Sequence, residues 1–169
     1  MSGMDGPRPR PAALDTSFWA ATALAEAHGY MLKMFEVHCP QAVVDEVENE
    51  EPPALRADAA LFQQLRLRGV ISVTEPGSVT VKLFGKGEAA TLSLAAEKSW
   101  MALINEYRAA EYGRNVLRVV VVNVPQLIVA VCAAGYVPSV KAQSMLAKIA
   151  NVTSPRLVQE ATRVLAALP

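Results

Sequence analysis

The stretch Ala12-Ala13-Leu14-Asp15-Thr16-Ser17 places a carboxylate directly after a short apolar run and before a segment with helical spacing. Such a run indicates a buried strand that gives way to a helix at Asp15. The same succession recurs at 100–104, where an apolar run is followed by Asn105 and Glu106. Strands that alternate with helices predict a mostly parallel central sheet covered on both faces. We therefore expect an α/β protein with the layers of an αβα sandwich.

The remaining elements continue this alternation. The sequence predicts strands at 12–14, 35–39, 70–73, 100–104 and 118–122, and helices at 17–28, from 40 onward, and at 54–67, 88–98, 106–112, 124–134, 139–150 and 155–167. Gly29 is expected to end the first helix. The segment 75–87 is expected to be a loop, with an edge strand at 79–83 as the alternative. The valine run 119–122 is typical of a central strand that is buried on both faces.

Length and composition limit the class of protein. The chain has 169 residues, of which 52% are hydrophobic, and we assign residues 12–169 to a single domain and residues 1–11 to a flexible N-terminal extension. Sixteen Lys and Arg balance sixteen Asp and Glu, so nothing indicates a strongly basic nucleic-acid binder. Aromatic residues make up 6%, and their pattern shows no base-stacking platform.

Two further features concern the cellular compartment. Cys39 and Cys132 lack metal-ligand spacing and are expected to be free thiols in a reducing cytosol. The apolar stretch 116–137 is interrupted by polar residues and by Pro125, whereas a membrane span needs about 20 apolar residues. We therefore expect a cytoplasmic protein without a membrane span.

Polar residues cluster at the expected carboxyl edge of the sheet. Asp15 and Asn105 directly follow predicted strands, Glu106 comes next, and Glu46 and Glu88 lie in the first turns of helices. Ligands of open parallel sheets gather at this edge. Oxygen donors suit Mg²⁺ or Mn²⁺, and such ions catalyse phosphodiester hydrolysis. The pattern predicts an acidic site for one of these cations.

In its order of motifs, the chain resembles the PIN-domain family, especially the compact bacterial branch. The resemblance covers residues 12–165 and rests on motifs that occur in the family's order. These are Asp15-Thr16-Ser17, Cys39-Pro40 to Glu46-Val47, Gly69-Val70-Ile71-Ser72-Val73, Gly85-Lys86-Gly87-Glu88-Ala89, Ile104-Asn105-Glu106 and Gly135-Tyr136-Val137. The resemblance implies a PIN-like sandwich with a metal-dependent nuclease site.

The implied activity is a hydrolase reaction, the cleavage of single-stranded RNA by a Mg²⁺- or Mn²⁺-dependent endoribonuclease. Asp15, Glu46 and Glu88 match the family's catalytic metal-binding acids, and Asn105 and Glu106 are the further candidate metal ligands. Candidates for contact with the RNA are Thr16, Ser17, Lys86 and Arg108. The resemblance further implies a toxin of a toxin–antitoxin pair, with an antitoxin-like protein and a second copy of the chain as partners.

Each candidate also has a structural interpretation. Asp15 suits the N-cap of the first helix, and Glu88 suits the positive end of its helix dipole in any protein. Glu46 is part of an acidic stretch, and the neighbouring Asp45 is the alternative to it. Asn105 and Glu106 suit the cap of the helix that follows them. These alternatives remain open at the level of sequence.

Three positions depart from the family pattern. Asn105 stands where many members have aspartate, Asn123 where threonine is usual, and Ala110 where a basic residue is frequent. The amide of Asn105 keeps an oxygen donor but removes one unit of negative charge, which weakens a cation site. The alternative function is therefore a catalytically degenerate PIN-like protein that binds protein or nucleic acid. A nucleotide-binding α/β protein is disfavoured, because no Gly-rich loop follows the first strand.

Overall fold

A computed structural model describes residues 8–49 and 56–169 of the chain. The strands are β1 (Arg10–Leu14), β2 (Phe35–Cys39), β3 (Ile71–Val73), β4 (Met101–Leu103) and β5 (Val121–Val122). The helices are α1 (Thr16–Leu24), α2 (His28–Met34), α3 (Gln41–Asn49), α4 (Arg56–Leu67), α5 (Lys86–Lys98), α6 (Tyr107–Asn115), α7 (Val124–Ala133), α8 (Ser139–Ile149) and α9 (Pro155–Ala167). Of the extension predicted at residues 1–11, residues 1–7 lie outside the described residues, whereas Arg10 and Pro11 pair with β2 as part of β1.

The five strands form one sheet in the order β3-β2-β1-β4-β5, and every neighbouring pair is parallel. Ala12 and Leu14 of β1 pack in one core cluster, whereas Ala13 between them packs in another. The first cluster includes residues of α1, α2, α7, α8 and α9, and the second includes residues of α5 and α6. The predicted α/β class, with a parallel sheet between two helical layers, is confirmed.

The strand order places a switch point next to β1. The chain adds β2 and β3 on one side of β1, then returns to add β4 and β5 on the other side. Connections that leave β1 and β4 therefore run in opposite directions, and a crevice forms at the carboxyl ends of these two strands. Asp15 follows β1 and Asn105 lies just beyond β4, so both candidates lie at this crevice.

The first predicted helix is two helices. α1 ends at Leu24, Glu26 adopts a left-handed conformation with φ 55°, and α2 begins at His28. The prediction that Gly29 ends a helix is wrong, because Gly29 lies in the first turn of α2. Apolar spacing continues across this break, and for this reason periodicity alone predicts one long helix.

The valine run is not a central strand. β5 comprises only Val121 and Val122, it lies at the edge of the sheet, and the side chain of Val120 is 61% exposed. The guanidinium of Arg114 donates a hydrogen bond to the Val121 carbonyl at 3.0 Å, which occupies an acceptor on this strand. The prediction that this run forms a central strand is wrong. The position of a strand in the sheet is determined by the crossover connections and not by the composition of the strand.

Two other expectations can be compared with the described residues. The segment 79–83 forms no strand, and the backbone N–H groups of Thr80 and Val81 donate to the Ser93 hydroxyl on α5 instead. Cys39 and Cys132 are free thiols. Within the described residues, no helix has the length and apolar character needed to cross a membrane.

Candidate metal centre

Asp15 is the most buried acid of the candidate site. It caps α1, and its side chain is 1% exposed. The Oδ2 atom accepts hydrogen bonds from the backbone N–H of Ser17, at 3.0 Å, and from the Ser17 hydroxyl. The Oδ1 atom is also buried but has no hydrogen-bond partner among the described residues. One oxygen of Asp15 therefore caps the helix, as its structural interpretation expects, and the other remains available to a ligand.

Burial makes the charged form of Asp15 unfavourable. Desolvation raises the pKa of its carboxyl from 3.8 to about 7, against the effect of the two hydrogen bonds from Ser17. The negative charges of Glu88 and Glu46 raise the pKa further. A buried anionic oxygen without a partner is costly, and a cation bound to it would offset that cost. This oxygen is the feature of the site that best fits a divalent ion.

Glu46 reaches the site from α3 and connects two other helices. Its Oε1 accepts a hydrogen bond from the backbone N–H of Gly87 at 2.9 Å, and its Oε2 accepts one from the Thr16 hydroxyl. Thr16, a candidate for RNA contact, is thus engaged with this acid. Asp45 is exposed and accepts from Gln41 Nε2 at 2.9 Å, so the neighbouring acid lies outside the cluster.

Glu88 lies between the other acids in the first turn of α5. Desolvation raises the pKa of this half-buried carboxyl, and the charges of Glu106 and Glu46 raise it as well. The backbone at Gly85, the N-cap of α5, opposes the shift. Glu46 and Glu88 also contribute to the raised pKa of Asp15, so the three acids lie near enough for their charges to act on one another.

Glu106 caps α6 and is joined to α1 through Ser17. Its carboxylate accepts a hydrogen bond from the backbone N–H of Ala109 at 2.7 Å, which fulfils the capping interpretation. The Ser17 hydroxyl accepts from the backbone N–H groups of Asn105, at 3.0 Å, and of Glu106, at 3.2 Å, while it donates to Asp15. A hydroxyl has one donor and two acceptor sites, so Ser17 has no capacity left for RNA.

The side chain of Asn105 is engaged away from the acids. Its Oδ1 accepts a hydrogen bond from the backbone N–H of Val124 at 3.1 Å. Its Nδ2 donates to the Thr153 hydroxyl at 2.9 Å and to the Val152 carbonyl at 3.4 Å. Both ends of the amide therefore connect β4 to the start of α7 and to the turn before α9. The structure gives a reason for an amide here, since a carboxylate cannot donate to the Val152 carbonyl.

Four of the five candidate metal ligands, Asp15, Glu46, Glu88 and Glu106, lie at the same edge of the sheet, where hydrogen bonds connect them through Thr16, Ser17 and Gly87. Across residues 8–49 and 56–169, however, no group of three or more His, Cys, Asp or Glu side chains is arranged so that it could hold a metal ion. Hydrogen bonds from Ser17, Thr16 and the helix N-termini hold the acids in their present positions. The other RNA candidates, Lys86 and Arg108, are exposed in the first turns of α5 and α6.

Gly87 makes space for the carboxylate of Glu46, a role that its motif did not reveal. A Cβ at this position would lie 2.6 Å from Oε1 of Glu46. We expect Gly87→Ala to destabilise the protein by about 1 kcal/mol, because the carboxylate must leave two hydrogen bonds. Alanine in a helix otherwise stabilises by about 1 kcal/mol relative to glycine. Urea unfolding measures the difference in the free energy of unfolding between Gly87→Ala and the wild type.

Gly29→Ala is the matched control, since a Cβ at Gly29 in α2 would meet nothing within 4 Å. We expect this variant to be more stable than the wild type by up to about 1 kcal/mol. Equal stabilisation by the two substitutions would contradict the role assigned to Gly87.

No protein-family model matches this chain, and no curated protein or solved structure matches it either. The interpretation of the site depends on its own geometry and on the order of the sequence motifs.

Proposed function

We propose that this protein is a metal-dependent endoribonuclease that hydrolyses single-stranded RNA at the carboxyl edge of a PIN-like sheet. One observation carries the proposal. The buried Oδ1 of Asp15 has no hydrogen-bond partner and lies beside other acids whose charges raise its pKa. Acids that are close together in a crevice, with raised pKa values, are typical of functional sites.

The available donors suit a hard cation. Asp15 and Glu88 would hold it, with Glu106 beside them, and Mg²⁺ needs few protein ligands because it retains several waters. When bound, such an ion activates a water molecule and neutralises charge on the phosphate. The protein's own groups orient these acids. Ser17 occupies Oδ2 of Asp15 and leaves Oδ1 for the ion, and Glu46 holds the first turn of α5.

Two cations near the acids support a phosphate-containing substrate. Lys86 lies two residues before Glu88, and Arg108 lies two residues after Glu106. Both are exposed, as contact with a phosphate backbone requires. Thr16 and Ser17 already bond to acids of the site, so Lys86 and Arg108 are the better candidates for RNA contact.

The test is cleavage of a single-stranded RNA in the presence of Mn²⁺. We expect the wild type to cut this RNA, and Glu88→Gln to cut it at least a hundredfold more slowly. Loss of a metal ligand should have a larger effect than loss of a residue that hydrogen-bonds to a ligand, which is roughly 10- to 100-fold. Asp45→Asn is the matched control, since it also removes a carboxylate from this region but changes an exposed side chain. That variant should cleave at the wild-type rate.

Two results would contradict the proposal. The first is cleavage that persists in excess EDTA. The second is a Glu88→Gln variant that cleaves as fast as Asp45→Asn.

A degenerate PIN-like binding protein is the second candidate function. It is favoured by the engaged amide of Asn105 and by the arrangement of the acids, in which no described group of three could hold a metal ion. Thermal unfolding with millimolar Mn²⁺ separates the two functions, because an ion that binds the folded state raises its stability. A degenerate site predicts no rise. The toxin role, the antitoxin-like partner and the second copy remain predictions from the resemblance, and the cytoplasmic location remains a prediction from the cysteines and the apolar pattern.

A further inference from the structure

An aromatic pair lies at the surface beside the acids. Phe84 lies two residues before the start of α5, and Tyr112 belongs to α6. Their ring centroids are 5.4 Å apart and their planes meet at 71°, which is an edge-to-face contact. In this arrangement the rings do not cover each other face to face. Phe84 is 36% exposed, so part of the ring is accessible to a ligand.

The backbone of Phe84 is in an unfavourable conformation. Its φ is 71°, in the left-handed region, which costs a bulky residue about 1–2 kcal/mol. A fully buried ring would offset this cost through the apolar surface removed from water, but the ring of Phe84 is only partly buried. Strain at an exposed position suggests that the side chain has a role in binding.

Phe84 lines two cavities that cations also line. The first, of about 610 Å³, includes Tyr112 and Arg108, and the second, of about 510 Å³, includes Lys82 and Lys86 together with Glu75. Glu111 also lines the first cavity. Its carboxylate, however, accepts from Asn115 Nδ2 at 3.0 Å and lies 3.7 Å from Arg114, so its charge is partly compensated. An aromatic ring between cations is the arrangement that binds single-stranded nucleic acid.

Phe84 is close to the acids along the chain. It precedes Gly85, the N-cap of α5, and lies four residues before Glu88. On the other side, Arg108 lies two residues beyond Glu106. A base stacked on Phe84 would therefore have its phosphates close to the first turns of α5 and α6, where the acids converge.

We propose that Phe84, Tyr112 and Arg108 form a subsite that stacks one base of a single-stranded RNA and holds the adjoining phosphate. This inference rests on the proposed function for its substrate. It adds a base contact that would fix the position of the strand relative to the acids.

The test measures binding of a fluorescein-labelled oligoadenylate RNA to the full chain in EDTA, where metal-dependent cleavage cannot occur. We expect Phe84→Leu, which keeps apolar bulk but has no aromatic face, to weaken binding about tenfold. Phe84→Trp should bind at least as tightly as the wild type, and its added indole fluorescence should be quenched by the RNA. An abasic oligomer of the same length should bind the wild type and Phe84→Leu equally.

Several results would overturn the subsite. The first is a Phe84→Leu variant that binds oligoadenylate as tightly as the wild type. The second is an equal loss of affinity in Phe84→Leu and Phe84→Trp. The third is a loss of affinity in Phe84→Leu that is the same for the abasic oligomer as for oligoadenylate. The proposed nuclease activity is tested separately, by cleavage of RNA in Mn²⁺. RNA binding that depends on Phe84 in a protein that cuts no RNA would support the subsite and contradict the nuclease. RNA cleavage by a protein whose affinity for RNA does not depend on Phe84 would support the nuclease and contradict the subsite.

Discussion

Asp15→Asn is expected to make the protein more stable at pH 8, by on the order of 3 kcal/mol, and to leave its stability at pH 4 almost unchanged. The reason is the cost of ionising a buried carboxyl. In the folded protein, desolvation raises the pKa of Asp15 from 3.8 to about 7. Asparagine has nearly the same shape and keeps an oxygen for the hydrogen bonds from Ser17, but it carries no charge.

The sign follows from the protons that each state binds. Between pH 4 and pH 7 the unfolded chain has an ionised Asp15, whereas the folded protein keeps it protonated. The folded state binds more protons, so the stability contributed by this group is complete below pH 4 and is lost as the pH rises through 7. Each unit between the two pKa values corresponds to about 1.4 kcal/mol, which gives an upper limit of roughly 4 kcal/mol.

Urea unfolding at pH 4, 6 and 8 in EDTA measures this effect as the difference between variant and wild type. Asp45→Asn is the control, because its exposed carboxylate should give a difference that is small at every pH. A difference for Asp15→Asn that does not grow between pH 4 and pH 8 would show that Asp15 ionises normally. In that case the buried, unpartnered oxygen would no longer support a cation site.

Asn105→Asp installs the aspartate that many members of the resembled family have, and we expect it to destabilise the protein by about 3 kcal/mol at pH 8. Asn105 is buried, and its Nδ2 donates to the Val152 carbonyl at 3.4 Å. A carboxylate oxygen there would face the carbonyl without a proton between them. The loss should be smaller at pH 5, because a protonated carboxyl can donate in place of the amide.

Asn151→Asp is the control for this substitution, since Asn151 is exposed in the turn that precedes α9. It should change the free energy of unfolding by less than about 0.5 kcal/mol. We expect Asn105→Asp to bind Mn²⁺ no more tightly than the wild type, because the new carboxylate replaces an amide that is already engaged with Val124 and Thr153. An Asn105→Asp variant that is as stable as the wild type and cleaves RNA faster would contradict this account.

Local patterns in the chain were sufficient for the class of fold. Short apolar runs that end at polar residues indicated the strands, and each strand found in the sheet overlaps a predicted one. The failures have a shared cause. Apolar periodicity continues through the left-handed Glu26 and so predicts one helix instead of two. The valine-rich composition of β5 predicts a central strand, although β5 lies at the edge of the sheet. Neither a single φ angle nor the order of strands follows from the apolar pattern.

The sequence by itself determined which polar groups follow strands and which begin helices, and so it predicted that Asp15, Glu46, Glu88, Asn105 and Glu106 lie at one edge. Only the tertiary structure decided what each group does there. The partners are distant in the chain, since Gly87 lies 41 positions after Glu46 and Asn105 lies 88 positions after Ser17. Because helix crossovers bring these partners together, hydrogen bonds engage the amide of Asn105 and leave Oδ1 of Asp15 without a partner.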